Sequence, residues 1–263
     1  MSDDTGGRIT VEPQGHVLSI GIDRPPKLNG FTLKMLRELA DAYTELERNA
    51  AYRCGVLHAH GANFTAGLQL DEVAPHMAAG HPAFPPGAID PVSLREPIRT
   101  KPLVAAVQGI CFTIGIELML AADVVIAGDD CRFAQLEVRR GIMPTGGATI
   151  RFVERAGWGN AQRWLLTGDE FDAREAHRLG FVQEVVPAGE AYPRAAAIAR
   201  TIAGQAPLAV RASLASSRRY LERGPLGMAA EMDEMQRVLS QSADAAEGVR
   251  SFLEKRTANF QGR

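Results

Sequence analysis

The sequence contains little cysteine, few aromatic residues and no excess of charge of either sign. Its three cysteines, Cys54, Cys111 and Cys131, are scattered over 263 residues, and none belongs to a C-x-x-C motif. This pattern argues against a disulfide framework and indicates reduced, buried thiols in a cytoplasmic protein. The 29 Lys and Arg nearly balance the 31 Asp and Glu, and no run of like charge occurs. We therefore expect neither nucleic acid nor an anionic membrane surface as the main partner.

Long uninterrupted hydrophobic runs are also missing. Residues 103–127 form the most apolar stretch, but they include Gln108, Glu117, Asp123 and several glycines. An acidic residue at the centre of a bilayer costs about 2.5–3.5 kcal/mol, so this stretch is predicted to be a buried strand and a buried helix rather than a membrane span. The first ten residues lack the apolar core of a targeting signal. The remaining composition, 46% hydrophobic and 23% charged, is that of a globular protein.

Predicted strands alternate with predicted helices in the first two thirds of the chain. Thr32 is placed to cap an amphipathic helix, and residues 116–122 predict a second helix. This order indicates an α/β fold in which parallel strands are joined by crossover helices. From about residue 192 the periodic segments predict only helices, with Pro207 at the first position of one. The predicted strands are residues 16–22, 53–60, 101–109 and 123–128.

Two turns could present unpaired backbone N–H groups to a ligand oxygen. Residues 64–68 follow a predicted strand, and residues 109–115 precede the predicted buried helix. Donors from Leu68 and from Thr113-Ile114-Gly115 that converge on one point would form an oxyanion hole, which stabilises the enolate-like oxygen of a thioester. The alternative is that each turn only reverses the chain.

Two acidic residues stand in places where a carboxylate must be paired, neutral or functional. Glu117 lies in the apolar run I-G-I-E-L-M-L, and Glu137 lies at the end of a predicted strand before a Pro-Thr-Gly-Gly turn. One interpretation is a pair of catalytic carboxyl groups. The other is that both form ion pairs, Glu137 with Arg139 or Arg140 and Glu117 with a basic residue elsewhere.

Six segments occur in a characteristic order and spacing: R-P-P-K-L-N-G (24–30), F-T-A-G-L (64–68), residues 109–118, F-A-Q-L-E (133–137), residues 165–186 and E-G-V-R-S-F-L-E-K-R (247–256). Together they resemble the crotonase superfamily, and the similarity is strongest to its enoyl-CoA hydratase/isomerase family. The similarity extends over residues 16–260 and implies a spiral core of ββα turns over residues 1–195, followed by a helical oligomerisation region over residues 196–263.

The resemblance implies a role for each matching residue. The N–H groups of Leu68 and Ile114 would bind the thioester carbonyl, and Glu117 and Glu137 would flank one water molecule. Because many members with other activities lack one of these glutamates, their joint presence favours addition of water to an enoyl-CoA. No metal or further cofactor is implied, since coenzyme A is part of the substrate.

The resemblance also implies a coenzyme A site shared between subunits. Phe252 and Lys255 match residues of a C-terminal helix that reaches coenzyme A from a neighbouring subunit, so a homotrimer or homohexamer is expected. Arg256 is a further candidate cation for the phosphates. The implied contacts within one chain are Arg24, Lys27, Leu28 and Ala66.

Departures from the family pattern keep other activities open. Thr113-Ile114 replaces the usual glycines, Leu68 replaces a small residue and Gln69 replaces an aspartate. These changes predict an unusual substrate or lost activity. The alternatives are a Δ3-Δ2 isomerase, a hydrolase, a C–C lyase or a catalytically silent acyl-CoA-binding protein.

Three further features, two pairs of polar residues and a loop, are predicted to have structural roles. His58 and His60 share one strand face, as metal ligands might, but no third ligand is apparent, so ordinary packing is expected. Asp169 and Glu170 are predicted to cap a helix. The Pro- and Gly-rich loop at residues 76–91 is predicted to be a surface loop close to the first donor turn.

Overall fold

The computed structural model describes residues 6–263, which form nine strands and nine α-helices. The strands are, in chain order, β1 (Arg8–Gln14), β2 (Val17–Asp23), β3 (Cys54–Ala59), β4 (Leu103–Val107), β5 (Ile110–Phe112), β6 (Val124–Gly128), β7 (Arg132–Ala134), β8 (Phe171–Asp172) and β9 (Glu184–Val186). The helices are α1 (Leu33–Arg48), α2 (Leu70–Ala78), α3 (Ile114–Ala121), α4 (Ala148–Ala156), α5 (Trp158–Leu165), α6 (Ala173–Arg178), α7 (Ala191–Ala203), α8 (Pro207–Ser240) and α9 (Ala243–Glu254).

The described strands form two sheets. The larger has the order β1-β2-β3-β4-β6-β9, and its pairs from β2 onward are parallel, while β5, β7 and β8 form the smaller sheet. The four predicted strands and their parallel pairing are confirmed. The sequence did not predict β1, because this antiparallel edge strand is largely exposed and has no apolar alternation. Parallel pairing places the carboxyl ends of β2, β3 and β4 at one edge, where the two donor turns follow.

Helices cover both faces of the larger sheet. On one face α7 packs through four buried alanines spaced four residues apart, which allows close contact with buried strand residues such as Val56 and Val104. On the other face lies α1, capped by the Thr32 hydroxyl, which accepts a hydrogen bond from the Met35 N–H as predicted. The predicted boundary at residue 195 falls inside α7, which packs on the sheet.

The apolar stretch at residues 103–127 is an interior segment of the protein. It forms β4, β5, α3 and most of β6, and all eight residues of α3 are buried. A helix that is apolar on every side belongs in a core. Between residues 6 and 263, no helix is both long enough and apolar enough to span a membrane. Cys54, Cys111 and Cys131 are buried and unpaired, as predicted.

The C-terminal region is helical, as predicted. Pro207 is the first residue of α8, and Gly224, at φ 65° and ψ 174°, interrupts this helix just before Pro225. Arg218 joins α8 to the core through hydrogen bonds to the Arg99 carbonyl and the Asp123 carboxylate. Only Met228 of α8 is buried, so most of this helix lies on the surface.

Candidate active site

The two predicted donor turns lie side by side. Thr65 and Cys111 form a parallel β-bridge, and the Phe112 N–H donates to the Thr65 carbonyl over 3.0 Å. Beyond the bridge, Thr113 lies against Gly67, where an added Cβ would stand 2.5 Å from the Thr113 hydroxyl oxygen. Gly67, at φ +118°, therefore permits both the backbone conformation and the close approach of the two turns.

Hydrogen bonds on either side of Leu68 orient its N–H group. The Phe31 N–H donates to the Gly67 carbonyl over 2.9 Å, and the Gln69 N–H donates to the Phe31 carbonyl over 2.8 Å. In parallel pairing these two bonds flank Leu68, whose own N–H consequently points away from Phe31. Within residues 6–263 this N–H has no acceptor.

The second donor begins the buried helix. Ile114 is the first residue of α3, so its N–H has no intrahelical acceptor, and it has none elsewhere in the described part of the chain. Thr113 before it has φ 50° and ψ −117°, an unusual conformation for a β-branched residue that costs about 1–3 kcal/mol. Its N–H is held by the Ala134 carbonyl at 2.9 Å. Leu68 and Ile114 thus each offer an unpaired N–H from adjoining turns.

Glu117 lies one turn into α3 and is 5% exposed. Its Oε1 accepts hydrogen bonds from the Gly146 N–H at 2.7 Å and the Ala148 N–H at 3.3 Å. Burial raises the pKa of the carboxyl, and the two N–H groups and the Arg151 charge oppose this increase. A Cβ at Gly146 would collide with the carboxylate, so glycine is needed for this approach. The ion-pair alternative for Glu117 is wrong, because its partners are backbone N–H groups.

Glu137 occupies the first position of a 3₁₀ turn, Glu137–Arg140. The expected location at a strand end is wrong, because β7 ends three residues earlier at Ala134. Its Oε2 is buried and has no hydrogen-bond partner among the described residues. Burial raises the pKa of this carboxyl to about 7, its own backbone N–H opposes the increase, and the charge of Glu117 adds to it. A carboxyl group with a pKa near neutrality and a buried, unpaired oxygen is suited to exchange a proton with a ligand.

The arginine expected to pair with Glu137 is engaged elsewhere. Arg139 donates to Asp169 Oδ1 at 2.9 Å, and Arg163 donates to Asp169 Oδ2 at 2.8 Å. The ion-pair alternative for Glu137 is therefore wrong. The predicted capping role of Asp169 is wrong as well, because Asp172 caps α6 by accepting the Glu175 N–H. The Asp169 pairs instead connect the Glu137 turn to the segment before β8.

Glu170, the other predicted cap, also forms a surface ion pair. It accepts a hydrogen bond from Arg132 on β7, and the nitrogen and oxygen atoms lie 2.6 Å apart at their closest. Both acidic residues precede the short strand β8, which separates them from α6. This intervening strand explains why neither one reaches the helix N-terminus.

The loop at residues 24–30 is fixed beside the first donor turn. The Ala66 N–H donates to the Leu28 carbonyl at 2.9 Å, and the buried Asn29 side chain donates to the His60 and Asn63 carbonyls at 2.8 and 2.7 Å. Lys27 ends a 3₁₀ turn and is exposed next to this connection. The structure thus brings Lys27, Leu28 and Ala66 together.

Arg24 belongs to the same loop and helps to close it. Its backbone N–H donates to Asn29 Oδ1 at 2.6 Å, and its guanidinium donates to the Gly30 carbonyl at 2.9 Å. Both contacts are within the loop. In this structure the side chain therefore stabilises the conformation that presents Lys27 and Leu28.

The predicted C-terminal residues are not joined to that loop within one chain. Phe252 on α9 is 82% exposed, and Lys255 follows the helix with φ 55°. No hydrogen bond or ion pair of the described residues connects either of them to Lys27 or Leu28. Arg256 forms ion pairs with Glu247 and Glu254, so its charge is already compensated.

The paired histidines lie on the face of the larger sheet that α7 covers. His60 Nε2 is 2.8 Å from the Thr10 hydroxyl, and the His58 ring packs against Tyr192 at a centroid distance of 4.4 Å. Burial lowers the pKa of His58 to about 4. In the described part of the chain, no cluster of three possible metal ligands occurs.

Comparisons with known proteins agree with this geometry. The model of the enoyl-CoA hydratase/isomerase family matches residues 12–263. The chain belongs to the enoyl-CoA hydratase/isomerase family. The resemblance identified from the motifs and the crotonase-type fold are confirmed, and the protein is an enzyme of the crotonase superfamily of acyl-CoA enzymes.

Relatives in this family have different named activities. Enoyl-CoA hydratase EchA19 of Mycobacterium tuberculosis is 33% identical to this chain, and the match covers 99% of this chain and 98% of the relative's length. The 1,2-epoxyphenylacetyl-CoA isomerase of Escherichia coli is 29% identical to this chain, and the match covers 94% of this chain and 95% of the relative's length. A solved structure described as a probable enoyl-CoA hydratase/isomerase from Mycobacterium abscessus is 49% identical, covers 97% of this chain and 98% of that one, and has a TM-score of 0.93. Family membership therefore leaves the reaction to be argued from the site.

Several polar groups of the site were not predicted from the sequence. The N–H donors of Gly146 and Ala148 hold Glu117, and Arg151 donates to the Gly146 carbonyl at 3.2 Å. The signal for the first two was the Gly146-Gly147 pair before a helix, where free N–H groups are expected. Gln135, 1% exposed and with both amide atoms unpartnered among the described residues, gave no distinguishing signal.

Proposed function

We propose that this enzyme adds water across the C2–C3 double bond of a 2-enoyl-CoA thioester to give a 3-hydroxyacyl-CoA. The observation that carries the proposal is that two kinds of group occur together. The N–H groups of Leu68 and Ile114 have no acceptor, and the carboxyl groups of Glu117 and Glu137 have no ion-pair partner, among the described residues. Such N–H groups stabilise an enolate oxygen, and two carboxyl groups can serve as base and acid.

The proposed reaction divides the proton transfers between the carboxyl groups. The thioester carbonyl binds the two N–H groups, so that electron density can move from C3 toward the oxygen. Glu117 accepts a proton from water as the water oxygen bonds to C3, and Glu137 gives a proton to C2. The sum is the addition of one water molecule. Proton exchange with solvent then restores both carboxyl groups, which titrate as an interacting pair.

This chemistry changes no oxidation state overall and uses no leaving group. The N–H donors supply the polarisation, and the carboxyl groups supply the proton transfers. The proposed reaction accordingly involves no cofactor beyond the coenzyme A that the substrate carries. A Δ3-Δ2 isomerase needs only one group to move a proton. Such a reaction would give no role to the Oε2 atom of Glu137, which has no partner among the described residues.

The proposed coenzyme A site uses two copies of the chain. Lys27, Leu28 and Ala66 are adjacent in one chain. Phe252 on α9 and Lys255 just after this helix are exposed, and no hydrogen bond or ion pair of the described residues joins them to Lys27 or Leu28. We propose that Phe252 and Lys255 reach the site of a neighbouring copy in a homotrimer or homohexamer.

The reaction is tested by the loss of enone absorbance when the enzyme is mixed with 2-enoyl-CoA esters of short, long, branched and aromatic acyl groups. Glu117→Gln and Glu137→Gln are each expected to lower kcat by about 10²–10⁴-fold, because each removes one proton transfer. Full turnover in either variant would refute the role of that residue. Binding of the esters without turnover by the wild type would instead indicate another reaction or a silent binding protein.

The proposed contact with coenzyme A is tested by Lys255→Glu. The charge reversal places a carboxylate near the phosphates, so the dissociation constant of an acyl-CoA measured by calorimetry should rise by about tenfold. An unchanged constant would remove Lys255 from the site. Sedimentation of the same samples reports whether the variant keeps the oligomeric state of the wild type.

A further inference from the structure

Arg151 on α4 has a half-buried guanidinium without a carboxylate partner in the described part of the chain. Its Nη1 donates to the Gly146 carbonyl at 3.2 Å, and its Nη2 donates to the Val92 and Ser93 carbonyls at 2.7 and 3.5 Å. A guanidinium remains charged under physiological conditions. Because all three acceptors are neutral carbonyls, the positive charge is not neutralised by an ion pair.

The Gly146 peptide connects this charge to Glu117. Arg151 binds the Gly146 carbonyl, while the Gly146 N–H donates to Glu117 Oε1 at 2.7 Å. The carbonyl of Gly146 is thus bound by Arg151, and its N–H group binds Glu117. The Arg151 charge also lowers the pKa of Glu117, opposing the effect of burial. A neutral side chain at this position would remove this opposition, so the pKa of Glu117 would rise further.

The same guanidinium holds the loop that lies beside α4. Asp90 organises this loop by accepting hydrogen bonds from the N–H groups of Val92, Leu94 and Arg95. The bonds from Arg151 to the Val92 and Ser93 carbonyls attach the organised loop to the turn that binds Glu117. Loss of Arg151 would remove the hydrogen bonds that join these two segments.

We propose that Arg151 is a positioning residue, which fixes the Gly146 turn against Glu117 and favours the charged form of Glu117 in the step that activates water. This inference rests on the proposed function. Other charged groups also act here: Arg151 faces Asp90, Glu154 on its own helix and Arg218 on α8, and Glu117 faces Glu137 on the 3₁₀ turn.

The test compares the pH dependence of kcat/KM for hydration of a 2-enoyl-CoA in the wild type, Arg151→Gln and Arg151→Lys. Without the positive charge, the acidic limb of the profile should move to higher pH by about half a unit to one unit. The loss of activity should then be several-fold larger at pH 6 than at pH 8. Arg151→Lys keeps the charge and should bring the limb back toward the wild-type position.

Arg155 provides a matched control one turn further along α4. It is also half-buried and donates to the Leu120 and Phe181 carbonyls, but it binds no part of the Gly146 turn. Arg155→Gln should lose stability without moving the acidic limb. If Arg151→Gln lowers activity equally at all pH values, as a merely structural residue would, the proposal is wrong.

A second measurement separates this inference from the proposed function. The titration of Glu117 can be followed without substrate as the carboxyl infrared band that disappears in Glu117→Gln. Arg151→Gln should shift this titration to higher pH, and Arg155→Gln should not. If no enoyl-CoA is hydrated but the shift occurs, the proposed reaction fails while the effect of Arg151 on Glu117 stands. An unshifted band overturns the inference even in an active hydratase.

Discussion

The two carboxyl groups of the candidate site differ in how the protein holds them. Glu117 lies on a helix buried on all sides, and two backbone N–H groups bind one of its oxygens. Glu137 lies on a 3₁₀ turn in which Arg139 forms an exposed ion pair with Asp169, and Glu137 Oε2 has no partner among the described residues. One acid is thus fixed by backbone geometry, and the other is left with a free oxygen. The difference favours separate roles for the two groups.

Among changes to the surroundings of the two acids, the largest effect should follow from disturbing the backbone that holds Glu117. In Gly146→Ala the new Cβ would collide with the carboxylate, which must move. We expect a loss of about 100-fold in kcat, since displacement of a reacting group by roughly 1 Å can cost this much. The free energy of unfolding should fall by only about 1–3 kcal/mol.

A matched glycine substitution controls for the change of residue type. Gly159 lies in α5, and a Cβ there would meet no atom within 4 Å. Gly159→Ala should retain full activity and equal or greater stability, because alanine favours a helix. Activity in Gly146→Ala equal to that of this control would show that the position of Glu117 does not limit catalysis.

A smaller effect should distinguish Glu137 through the pH dependence of stability. Its pKa is raised from 4.5 to about 7, so the folded protein retains this proton over a range in which the unfolded chain has lost it. The stabilising contribution is complete below the unfolded pKa and is lost as the pH rises through about 7. Glu137→Gln should therefore be more stable relative to the wild type at pH 8 than at pH 5, by on the order of 2 kcal/mol.

Chemical denaturation of both proteins at the two pH values measures this difference. Glu137→Asp keeps an ionisable group and is the appropriate control, because it should preserve part of the pH dependence. If the difference between Glu137→Gln and the wild type is the same at both pH values, folding does not raise the pKa of the Glu137 carboxyl.

The smallest effect concerns the ion pairs beside Glu137. In Asp169→Asn both Arg139 and Arg163 lose a partner, but all three side chains are about half exposed. Such pairs contribute little, so the free energy of unfolding should fall by about 0.2–1 kcal/mol, and 1 M salt should abolish most of the difference. A loss above about 2 kcal/mol that persists in salt would mean that this turn is held as firmly as the Glu117 pocket.

Much of the fold could be predicted because its signals are local. The buried strands β2, β3, β4 and β6 are short apolar segments, and α1 has both its apolar spacing and its Thr32 cap in the sequence. Elements without such a pattern were missed. β1 is largely exposed, and β5 and β7 have only three residues each, so pairing with distant segments decides their conformation.

The candidate site was predicted as a set of positions, but its contacts were not. The motifs identified Leu68, Ile114, Glu117 and Glu137, and the structure leaves both N–H groups unpaired within residues 6–263. The ion-pair alternative for the two glutamates was wrong, because Arg139 pairs with Asp169 and Glu117 accepts the Gly146 N–H. Choosing among several nearby arginines requires knowledge of which side chains the fold brings together.

The sequence by itself determined the family and the alternation of strands and helices, and it gave the four positions of the candidate site, because apolar periodicity and short motifs are properties of neighbouring residues. The tertiary structure alone decided that the turns at Leu68 and Ile114 adjoin, that the Gly146 turn holds Glu117, and that Glu137 keeps an oxygen without a partner among the described residues. The first two features join segments that are 29 or more residues apart in the chain. They depend on burial and on backbone direction, which are fixed only when the segments pack.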